Sequence, residues 1–267
     1  MRGIDIANPN GKVNIEACVR EGAEFIIIRG GVTGYGAART KMKDDSFERN
    51  YAECKRLGVP VGCYYYSCAD TAKKGEEEAA FLYEKCLKGK QFEFPIYIDI
   101  ENEQWQMNKK TGVTDAICAF CDYLESMGYF VGVYSSTYWF KTYIDIERVK
   151  KYSIWLADWR KRKPSVNFAF DMWQTGSSVH AGKVIDDDIC YKDFPKVIKA
   201  SGCNGFRKPG DVDGDREVTT KDARIALKAA IGLTSLDKEQ TEAADMDGDG
   251  KVTTKDAQKI LHEAVKG

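Results

Sequence analysis

An aspartate-rich segment that occurs twice near the C-terminus constrains how this chain can fold. Residues 211–222, DVDGDREVTTKD, recur 34 positions later as residues 245–256, DMDGDGKVTTKD. The stretch SGCNGFRKP at 201–209 precedes the first copy, and its many turn-forming residues are typical of a linker. The sequence therefore predicts a body over residues 1–200, a linker over 201–209 and a small module over 210–267.

Both copies of the repeat have the spacing of a calcium-binding loop. Such loops supply hard oxygen ligands from positions 1, 3, 5 and 12 and a backbone carbonyl from position 7. Two copies in register predict two Ca²⁺ ions in the module, whereas we expect no cofactor for catalysis in the body. The predicted ligands are Asp211, Asp213, Asp215, Glu217 and Asp222 in the first copy, and Asp245, Asp247, Asp249, Lys251 and Asp256 in the second.

The two loops differ at position 6, where the chain has to turn sharply. Gly250 stands there in the second copy, but the first copy has Arg216, whose side chain disfavours a left-handed backbone. We therefore expect the first loop to bind calcium less tightly. A module of this size has a small core, so calcium binding should supply much of its stability.

Each loop is followed by an amphipathic helical pattern, but no such pattern precedes the first loop, where Lys208-Pro209-Gly210 stands. This arrangement argues against a calmodulin-like pair of helix–loop–helix units. A duplicated Asp-x-Asp-Gly-Asp loop followed by a helix resembles the dockerin family over residues 210–267. The apolar stripes of the two predicted helices are Ala223, Leu227, Ala230 and Ile231, and Ala257, Ile260, Leu261 and Ala264.

The resemblance to dockerins implies calcium-dependent folding and docking onto a cohesin domain of a scaffold protein. By the family pattern, the residues that recognise the partner fall at loop positions 10 and 11. These are Thr220 and Lys221 in the first copy, and Thr254 and Lys255 in the second. Because the copies match at these positions, we expect either copy to be able to engage a partner.

Charge and histidine content narrow the chemistry of the body. The chain has 40 Lys and Arg against 41 Asp and Glu, which gives no electrostatic basis for nucleic-acid binding. No apolar run approaches the ~20 residues that span a membrane, so we expect no membrane insertion. Histidine occurs only at His180 and His262, which excludes a multi-histidine metal site and disfavours a histidine-based triad. Carboxylates are therefore the first candidates for acid–base chemistry.

Short apolar segments alternate with amphipathic helical segments through the body, which is typical of an α/β protein. This alternation predicts a parallel, TIM-like (β/α) barrel, irregular in its second half because little helix separates the last strands. A doubly wound sheet is the alternative, but no glycine-rich phosphate turn follows the first strand. The predicted helices span 14–21, 46–57, 74–86, 114–127 and 137–143. The eight predicted strands span 3–7, 25–30, 61–67, 95–101, 130–135, 153–159, 168–174 and 184–190.

The segment Pro95–Glu101, PIYIDIE, places two carboxylates on one face of a predicted strand. Side chains alternate along a strand, so the three isoleucines face the helices while Tyr97, Asp99 and Glu101 face the barrel interior. Asp99 and Glu101 stand roughly 6.6 Å apart along the strand, from ~3.3 Å per residue. Active sites of such barrels lie at this end of the strands, and repulsion between the two carboxylates should raise one pKa.

Other acids and many aromatic residues lie at the ends of the predicted strands. Asp5 in the first strand and Asp186 and Asp188 in the last would meet Asp99 and Glu101 at one rim. Sugar rings stack their CH faces on aromatic rings, and their hydroxyl groups bind carboxylates and amides. The pattern therefore indicates a glycan-binding cleft. Its predicted lining is Tyr64, Tyr66, Tyr134, Trp155, Trp159, Trp173 and Gln174, with Asp186 and Asp188.

Six motifs of the body resemble glycoside hydrolase family 25, the Chalaropsis-type lysozymes or N-acetylmuramidases, over about residues 2–200. The resemblance implies an irregular (β/α) barrel that hydrolyses the β-1,4 bond between N-acetylmuramic acid and N-acetylglucosamine in peptidoglycan. The motifs occur in family order and are GIDIA at 3–7, GCYYYS at 62–67, YIDIE at 97–101, GVYSS at 132–136, IWLADW at 154–159 and MWQ at 172–174.

This resemblance also implies roles for single residues. Glu101 would be the general acid, and Asp99 would orient or charge-stabilise the 2-acetamido group of the substrate, which could itself act as nucleophile. Asp5 would line the cleft, with Tyr64 and Tyr134 beside the reacting sugar. Residues 182–185 lead directly into three successive aspartates, so which of Asp186, Asp187 and Asp188 lines the cleft stays open.

Together the two parts predict a muramidase that a dockerin attaches to a scaffold protein. We expect a secreted or cell-surface location, because a dockerin favours polysaccharide hydrolysis outside the cell, although the first residues show no signal peptide. Three alternatives remain from the sequence. They are a catalytically silent peptidoglycan-binding barrel, a hydrolase of another bond such as that of chitin, and a calcium-regulated scaffold component.

Overall fold

The computed structural model describes residues 1–34, 36–106, 110–160 and 162–266. The chain divides into two compact units, Met1–Phe194 and Pro195–Gly267. The division falls within one helix, Phe194–Ser201, a few residues before the linker expected from the sequence. Among the described residues, no helix combines the length and the apolar character that a membrane crossing requires.

A closed barrel of eight strands forms the first unit. Its closure comes from β1, which pairs with β2 on one side and β9 on the other, while the short β3 extends the sheet beside β2. The strands are β1 (Arg2–Ile6), β2 (Phe25–Thr33), β3 (Lys41–Lys43), β4 (Val61–Tyr66), β5 (Ile96–Asp99), β6 (Val131–Ser136), β7 (Ser153–Ala157), β8 (Met172–His180) and β9 (Lys183–Cys190).

Helices follow most of the strands and cover the barrel. They are α1 (Ile15–Arg20), α2 (Phe47–Leu57), α3 (Ala72–Leu82), α4 (Glu103–Gln106), α5 (Lys110–Ser126), α6 (Thr137–Thr142) and α7 (Ile146–Val149). A further helix, α8 (Phe194–Ser201), contains the division between the two units. The fold class predicted from the sequence is confirmed, and each of the eight predicted strands is present with shifted ends. The short β3 was not predicted from the sequence.

The last strand corrects the expectation that the barrel is parallel throughout. β9 runs antiparallel to both β8 and β1. Ala181 and Gly182 connect β8 to β9, and both have positive φ, at 49° and 77°. Two residues suffice for an antiparallel hairpin, whereas a parallel crossover needs a dozen or more. The irregularity expected for the second half therefore has a defined cause.

Alternation along the strands separates the core from the barrel interior. Ile96, Ile98 and Ile100 are fully buried and belong to the apolar layer between barrel and helices, as the sequence predicts. Tyr97 points into the barrel, where its ring lies 5.2 Å from that of Trp155 and its hydroxyl group 3.3 Å from Ser153 Oγ. The barrel is thus filled by aromatic side chains below the level of Asp99.

Helices and the two aspartate-rich loops make up the second unit, with α9 (Thr220–Ala230), α10 (Lys238–Ala244) and α11 (Thr254–Ala264). Its core is small and consists of Val212, Ala223, Ala226, Ala244, Ala257 and Ile260. The predicted apolar stripes were partly wrong, because Leu227, Ile231 and Leu261 are exposed while Ala226 is buried. α10 was not predicted from the sequence.

Substitution of Gly132 by Ala is expected to destabilise the barrel. A Cβ at this position would lie 2.3 Å from Tyr97 Cε1 and 2.7 Å from the Ser153 carbonyl oxygen. Because Tyr97 is held against Trp155, overpacking should lower the free energy of unfolding by about 1–3 kcal/mol, as measured by urea denaturation. Gly36→Ala is the matched control, since a Cβ there meets no atom within 4 Å. Equal stability of the two variants would contradict this packing.

Candidate active site and calcium loops

Five carboxylates come together at one end of the barrel. Asp5 lies on β1, and the antiparallel register sets it opposite Asp186 on β9. Asp99 ends β5, and Glu101 follows two residues later. Each of these groups influences the pKa of others in the set, and Asp188 of β9 also exchanges a hydrogen bond with Asp5. The acids that the sequence placed at one rim therefore do meet.

These carboxylates range from buried to exposed. Asp5, Asp99 and Asp188 are 8, 4 and 2 % exposed, whereas Asp186 is half-buried and Glu101 reaches the solvent. Glu101 therefore stands at the mouth of the cleft, with Asp99 beneath it. A proton donor at the mouth is open to a bound substrate.

Burial and mutual repulsion raise the pKa of all five acids. Burial is the main cause for Asp5, followed by the charge of Asp186, and its pKa rises to about 7. The pKa of Asp99 is raised well above its usual range by burial and then by the charge of Glu101. Burial and the charge of Asp186 raise the pKa of Glu101. The cleft therefore favours retained protons, and an exposed protonated carboxyl group is what general acid catalysis requires.

Gln174 on β8 connects the acids to the aromatic residues. Its Nε2 donates a hydrogen bond of 2.8 Å to Asp5 Oδ2. Its Oε1 accepts hydrogen bonds from the Tyr134 hydroxyl group at 2.9 Å and from Trp159 Nε1 at 3.1 Å. One amide thereby fixes the orientation of residues from β1, β6 and the end of β7.

One buried carboxylate oxygen of the cleft has no hydrogen-bond partner among the described residues. Trp155 Nε1 donates to Asp188 Oδ1 at 2.8 Å. Asp188 also shares its hydrogen bond with Asp5, whereas no described group bonds to the buried Asp99 Oδ1. Buried charged oxygens are costly without partners, so burial favours a protonated Asp99.

Hydrogen bonds from neighbouring strands hold the chain around Glu101. The Ser67 amide donates to the Asp99 carbonyl at 3.0 Å, and Ser135 Oγ donates to the Ile100 carbonyl. Asn102 Nδ2 donates to Cys68 Sγ at 3.1 Å. The roles of these residues, Ser67, Cys68, Asn102 and Ser135, were not predicted, because the strand register that brings them together is not visible in the sequence.

Aromatic residues predicted to bind sugar separate into two groups. Trp155 and Trp173 are only 1 and 7 % exposed, so their ring faces are not available for stacking on a sugar. Trp155 instead packs against Tyr134, with ring centroids 4.5 Å apart, and holds Asp188. Trp159 is 54 % exposed, and Tyr64 and Tyr66 are half-buried.

Asp187 points away from the other acids of β9. Its Oδ1 lies 2.6 Å from His180 Nε2 of the neighbouring strand, whereas Asp186 and Asp188 meet Asp5. Strand alternation thus resolves the choice that the sequence left open. Asp186 and Asp188 face the cleft, and Asp187 lies on the outer face of the barrel.

Replacement of Asp186 by Asn is expected to lower the pKa of Glu101, because the charge of Asp186 contributes to raising it. Glu101 would then lose its proton at a lower pH. The measurement is an NMR titration of ¹³C-labelled glutamate carboxyl groups. Asp187→Asn is the control on the outer face of the same strand. An unchanged titration of Glu101 in Asp186→Asn would contradict this electrostatic coupling.

Three carboxylates converge in each aspartate-rich loop of the second unit. The oxygens of Asp211, Asp213 and Asp215 lie within 4.8 Å of one another, and those of Asp245, Asp247 and Asp249 do the same. Hard oxygen donors at this spacing fit a calcium ion. Glu217 and Lys251 occupy position 7 of the exposed loops.

The aspartates at position 12 contact the loop backbone. Asp222 Oδ1 accepts hydrogen bonds from the amides of Val212 and Asp213, and its Oδ2 accepts one from the amide of Thr219. Asp256 accepts two of the equivalent bonds in the second loop, from the amides of Met246 and Thr253. Both aspartates also complete a capping box at the start of α9 and α11. The structure therefore places them outside the two groups of three carboxylates.

Arg216 at position 6 has the left-handed backbone expected there, with φ of 75°, against 83° for Gly250. Arg216→Gly is expected to relieve this strain, stabilise the first loop by about 1 kcal/mol and raise its affinity for calcium. Thermal unfolding and calorimetric calcium titration of the full chain would measure both effects. Gly250→Arg is the matched reverse change in the second loop and should weaken it. Equal behaviour of the two variants would show that position 6 does not distinguish the loops.

The residues predicted to recognise a partner are accessible. Thr220 and Lys221 lie in the first turn of α9, and Thr254 and Lys255 lie in the first turn of α11. All four are exposed.

Two curated relatives are similar to this chain. The autolytic lysozyme of Clostridium acetobutylicum is 24 % identical over 248 residues, which cover 91 % of this chain and 71 % of the relative. A protein of Dictyostelium discoideum named probable GH family 25 lysozyme 4 is 24 % identical over 177 residues, covering 65 % and 79 % of the two chains.

Solved structures share the fold of the first unit. The lysozyme from Streptomyces coelicolor matches with a TM-score of 0.60 at 20 % identity, over 74 % of this chain and 95 % of that one. The modular autolysin LytC from Streptococcus pneumoniae, solved with a synthetic peptidoglycan ligand, matches with a TM-score of 0.60 at 25 % identity, over 70 % and 46 %.

Family models match most of the sequence. The model for glycosyl hydrolases family 25 matches residues 4–183, and that for the dockerin type I domain matches residues 209–263. The chain therefore belongs to glycoside hydrolase family 25, as a lysozyme that carries a C-terminal dockerin domain.

Proposed function

We propose that this lysozyme cleaves the β-1,4 bond between N-acetylmuramic acid and N-acetylglucosamine in peptidoglycan. Membership of family 25 and the relatives named as lysozymes support peptidoglycan as the substrate. The observation that carries the proposal is the pairing of an exposed Glu101 of raised pKa with the buried Asp99 two residues before it.

In this proposal Glu101 donates its proton to the glycosidic oxygen as the general acid. Asp99 orients the 2-acetamido group of the substrate or stabilises its charge as that group attacks. Its position two residues before the exposed Glu101 on the same face of the strand supports this role. Asp5, Asp186 and Asp188 line the cleft. The sugar-contacting residues are Tyr64, Tyr66 and Trp159. Tyr134 and Gln174 are 8 and 3 % exposed, so they and the buried Trp155 and Trp173 support the contacting residues from below.

Replacement of Glu101 by Gln is expected to reduce peptidoglycan digestion by about 10²- to 10⁴-fold, because the amide cannot donate the proton. Mass spectrometry of the released fragments should show new reducing N-acetylmuramic acid with the unsubstituted protein. Glu103→Gln is the control, since Glu103 is a nearby exposed acid of α4.

The alternative functions predict other outcomes in the same assay. Release of reducing N-acetylglucosamine would show that the enzyme cuts the other linkage of the glycan strand. Release of fragments from chitin alone would show that chitin, and not peptidoglycan, is the substrate. Binding without release by either protein would favour the silent peptidoglycan-binding barrel.

We further propose that the dockerin binds two Ca²⁺ ions and attaches the enzyme to a cohesin domain of a scaffold protein outside the cell. The two groups of three carboxylates support two ions, and the exposed Thr220, Lys221, Thr254 and Lys255 support two equivalent recognition sites. The proposed limits are residues 1–200 for the barrel, 201–209 for the linker and 210–267 for the dockerin.

Removal of calcium by a chelator is expected to abolish capture by a panel of recombinant cohesin domains while peptidoglycan digestion persists. Alanine substitution of Thr220 and Lys221 alone should leave capture intact, because the second copy matches at these positions. The same change in both copies should abolish capture. Capture that survives the chelator would contradict the calcium-dependent attachment.

A further inference from the structure

Arg29 places a positive charge beside the carboxylates of the cleft. Ile26 and Ile28 of β2 are fully buried in the layer between barrel and helices, so Ile27 and Arg29 point to the barrel interior. The register pairs Ile27 with Asp5 of β1 and Arg29 with Tyr64 of β4. Arg29 thus lies one inward position beyond Asp5, towards the mouth of the cleft.

One edge of the Arg29 guanidinium group is fixed by an ion pair. Arg29 Nε lies 2.7 Å from Asp44 Oδ2, and the Asp44 side chain is fully buried. Burial acts to raise the pKa of Asp44, but hydrogen bonds from Ser46 and Asn8 outweigh it and, with the charge of Arg29, hold that pKa below its usual range. Asp44 is therefore ionised and holds the guanidinium group in one orientation.

The other edge of this guanidinium group has no hydrogen-bond acceptor among the described residues. No group in the described part of the chain accepts a hydrogen bond from Arg29 Nη1 or Nη2, and 17 % of the side chain is exposed. Arg29 also acts on the pKa of both Asp99 and Tyr64, in the direction opposite to the acids. Two parallel N–H donors on a guanidinium group whose charge acts on Asp99 have the geometry that binds a carboxylate.

We propose that Arg29 binds a carboxylate of the substrate and thereby selects strands that contain muramic acid. This inference rests on the proposed muramidase function. Muramic acid differs from glucosamine by a lactyl ether that ends in a carboxyl group, to which peptide stems with further carboxylates are attached. Five acids at the barrel end repel such an anion, and Arg29 offsets that repulsion at one point. Chitin has no carboxylate, so Arg29 does not strengthen its binding.

Calorimetric binding to the full chain with Glu101→Gln tests this role, because that variant is expected not to turn over its ligands. The probes are the disaccharide N-acetylglucosaminyl-N-acetylmuramic acid with a free lactyl carboxylate, the same disaccharide as the methyl amide, a disaccharide with a peptide stem, and chitobiose. Adding Arg29→Met should weaken binding of a carboxylate-bearing probe by about 10- to 100-fold and leave chitobiose unchanged. Arg29→Lys keeps the charge and should retain part of the preference.

The probes distinguish the two sources of a carboxylate. If Arg29→Met weakens binding of the disaccharide with the free lactyl acid alone, Arg29 binds the lactyl carboxylate. If it weakens binding of the stem-bearing disaccharide alone, Arg29 binds a carboxylate of the peptide. Arg56→Met is the control for net charge, since Arg56 lies exposed on α2 and pairs with Glu53. An unchanged preference in Arg29→Met, or an equal loss for all four probes, would overturn the proposal.

Failure of this proposal is separable from failure of the muramidase proposal. The reducing end released by the unsubstituted protein reports which bond is cut, whatever Arg29 binds. The preference among the four probes reports on Arg29 alone. An unchanged binding of chitobiose also shows that Arg29→Met leaves the cleft folded although Asp44 has lost its partner.

Discussion

Repulsion among carboxylates that share one barrel end is the constraint on which the rest of this cleft depends. Several ionised acids cannot be buried together without donors or retained protons. The Gln174 amide donates a hydrogen bond to Asp5, and the Trp155 indole donates one to Asp188. Two of the acids therefore have fixed donors. Glu101 has access to solvent instead and stays protonated more readily than an ordinary glutamate. Partial burial of Glu101, together with the repulsion that is costly for stability, therefore favours a retained proton on it.

Closure of the barrel by an antiparallel strand determines which acids take part. Because β9 returns from β8 through a two-residue turn, it lies against β1 with Asp186 opposite Asp5. Asp187 between them is directed to His180 on the outer face. The aromatic residues below these acids fill the barrel interior. Trp155 is one of them, so it is buried and does not belong to the proposed sugar-binding surface.

In the dockerin, a small core leaves much of the organisation to the two loops. Asp222 and Asp256 bind the loop backbone and cap the following helices, so hydrogen bonds join each loop to its helix independently of any bound ion. Asp211 and Asp245 bind backbone amides within their own loops. The carboxylates that remain grouped are those at positions 1, 3 and 5, where a cation would offset their repulsion.

The sequence by itself determined what depends on local pattern. Strand alternation gave the inward direction of Asp99 and Glu101, the alternation of strands and helices gave the barrel, and the repeat gave the loops and the unusual backbone of Arg216. Motifs in family order identify the family without knowledge of any tertiary contact. These features follow from spacing along the chain, which the sequence contains in full.

Only the tertiary structure decided what depends on register and burial. The direction of β9, the outward position of Asp187 and the burial of Trp155 and Trp173 follow from which strands become neighbours. The effect of Arg29 on Asp99 also depends on the tertiary structure, because β2 and β5 are not adjacent in the sheet and their side chains meet only inside the closed barrel. Pairing between distant segments sets these positions, and composition and spacing do not specify that pairing.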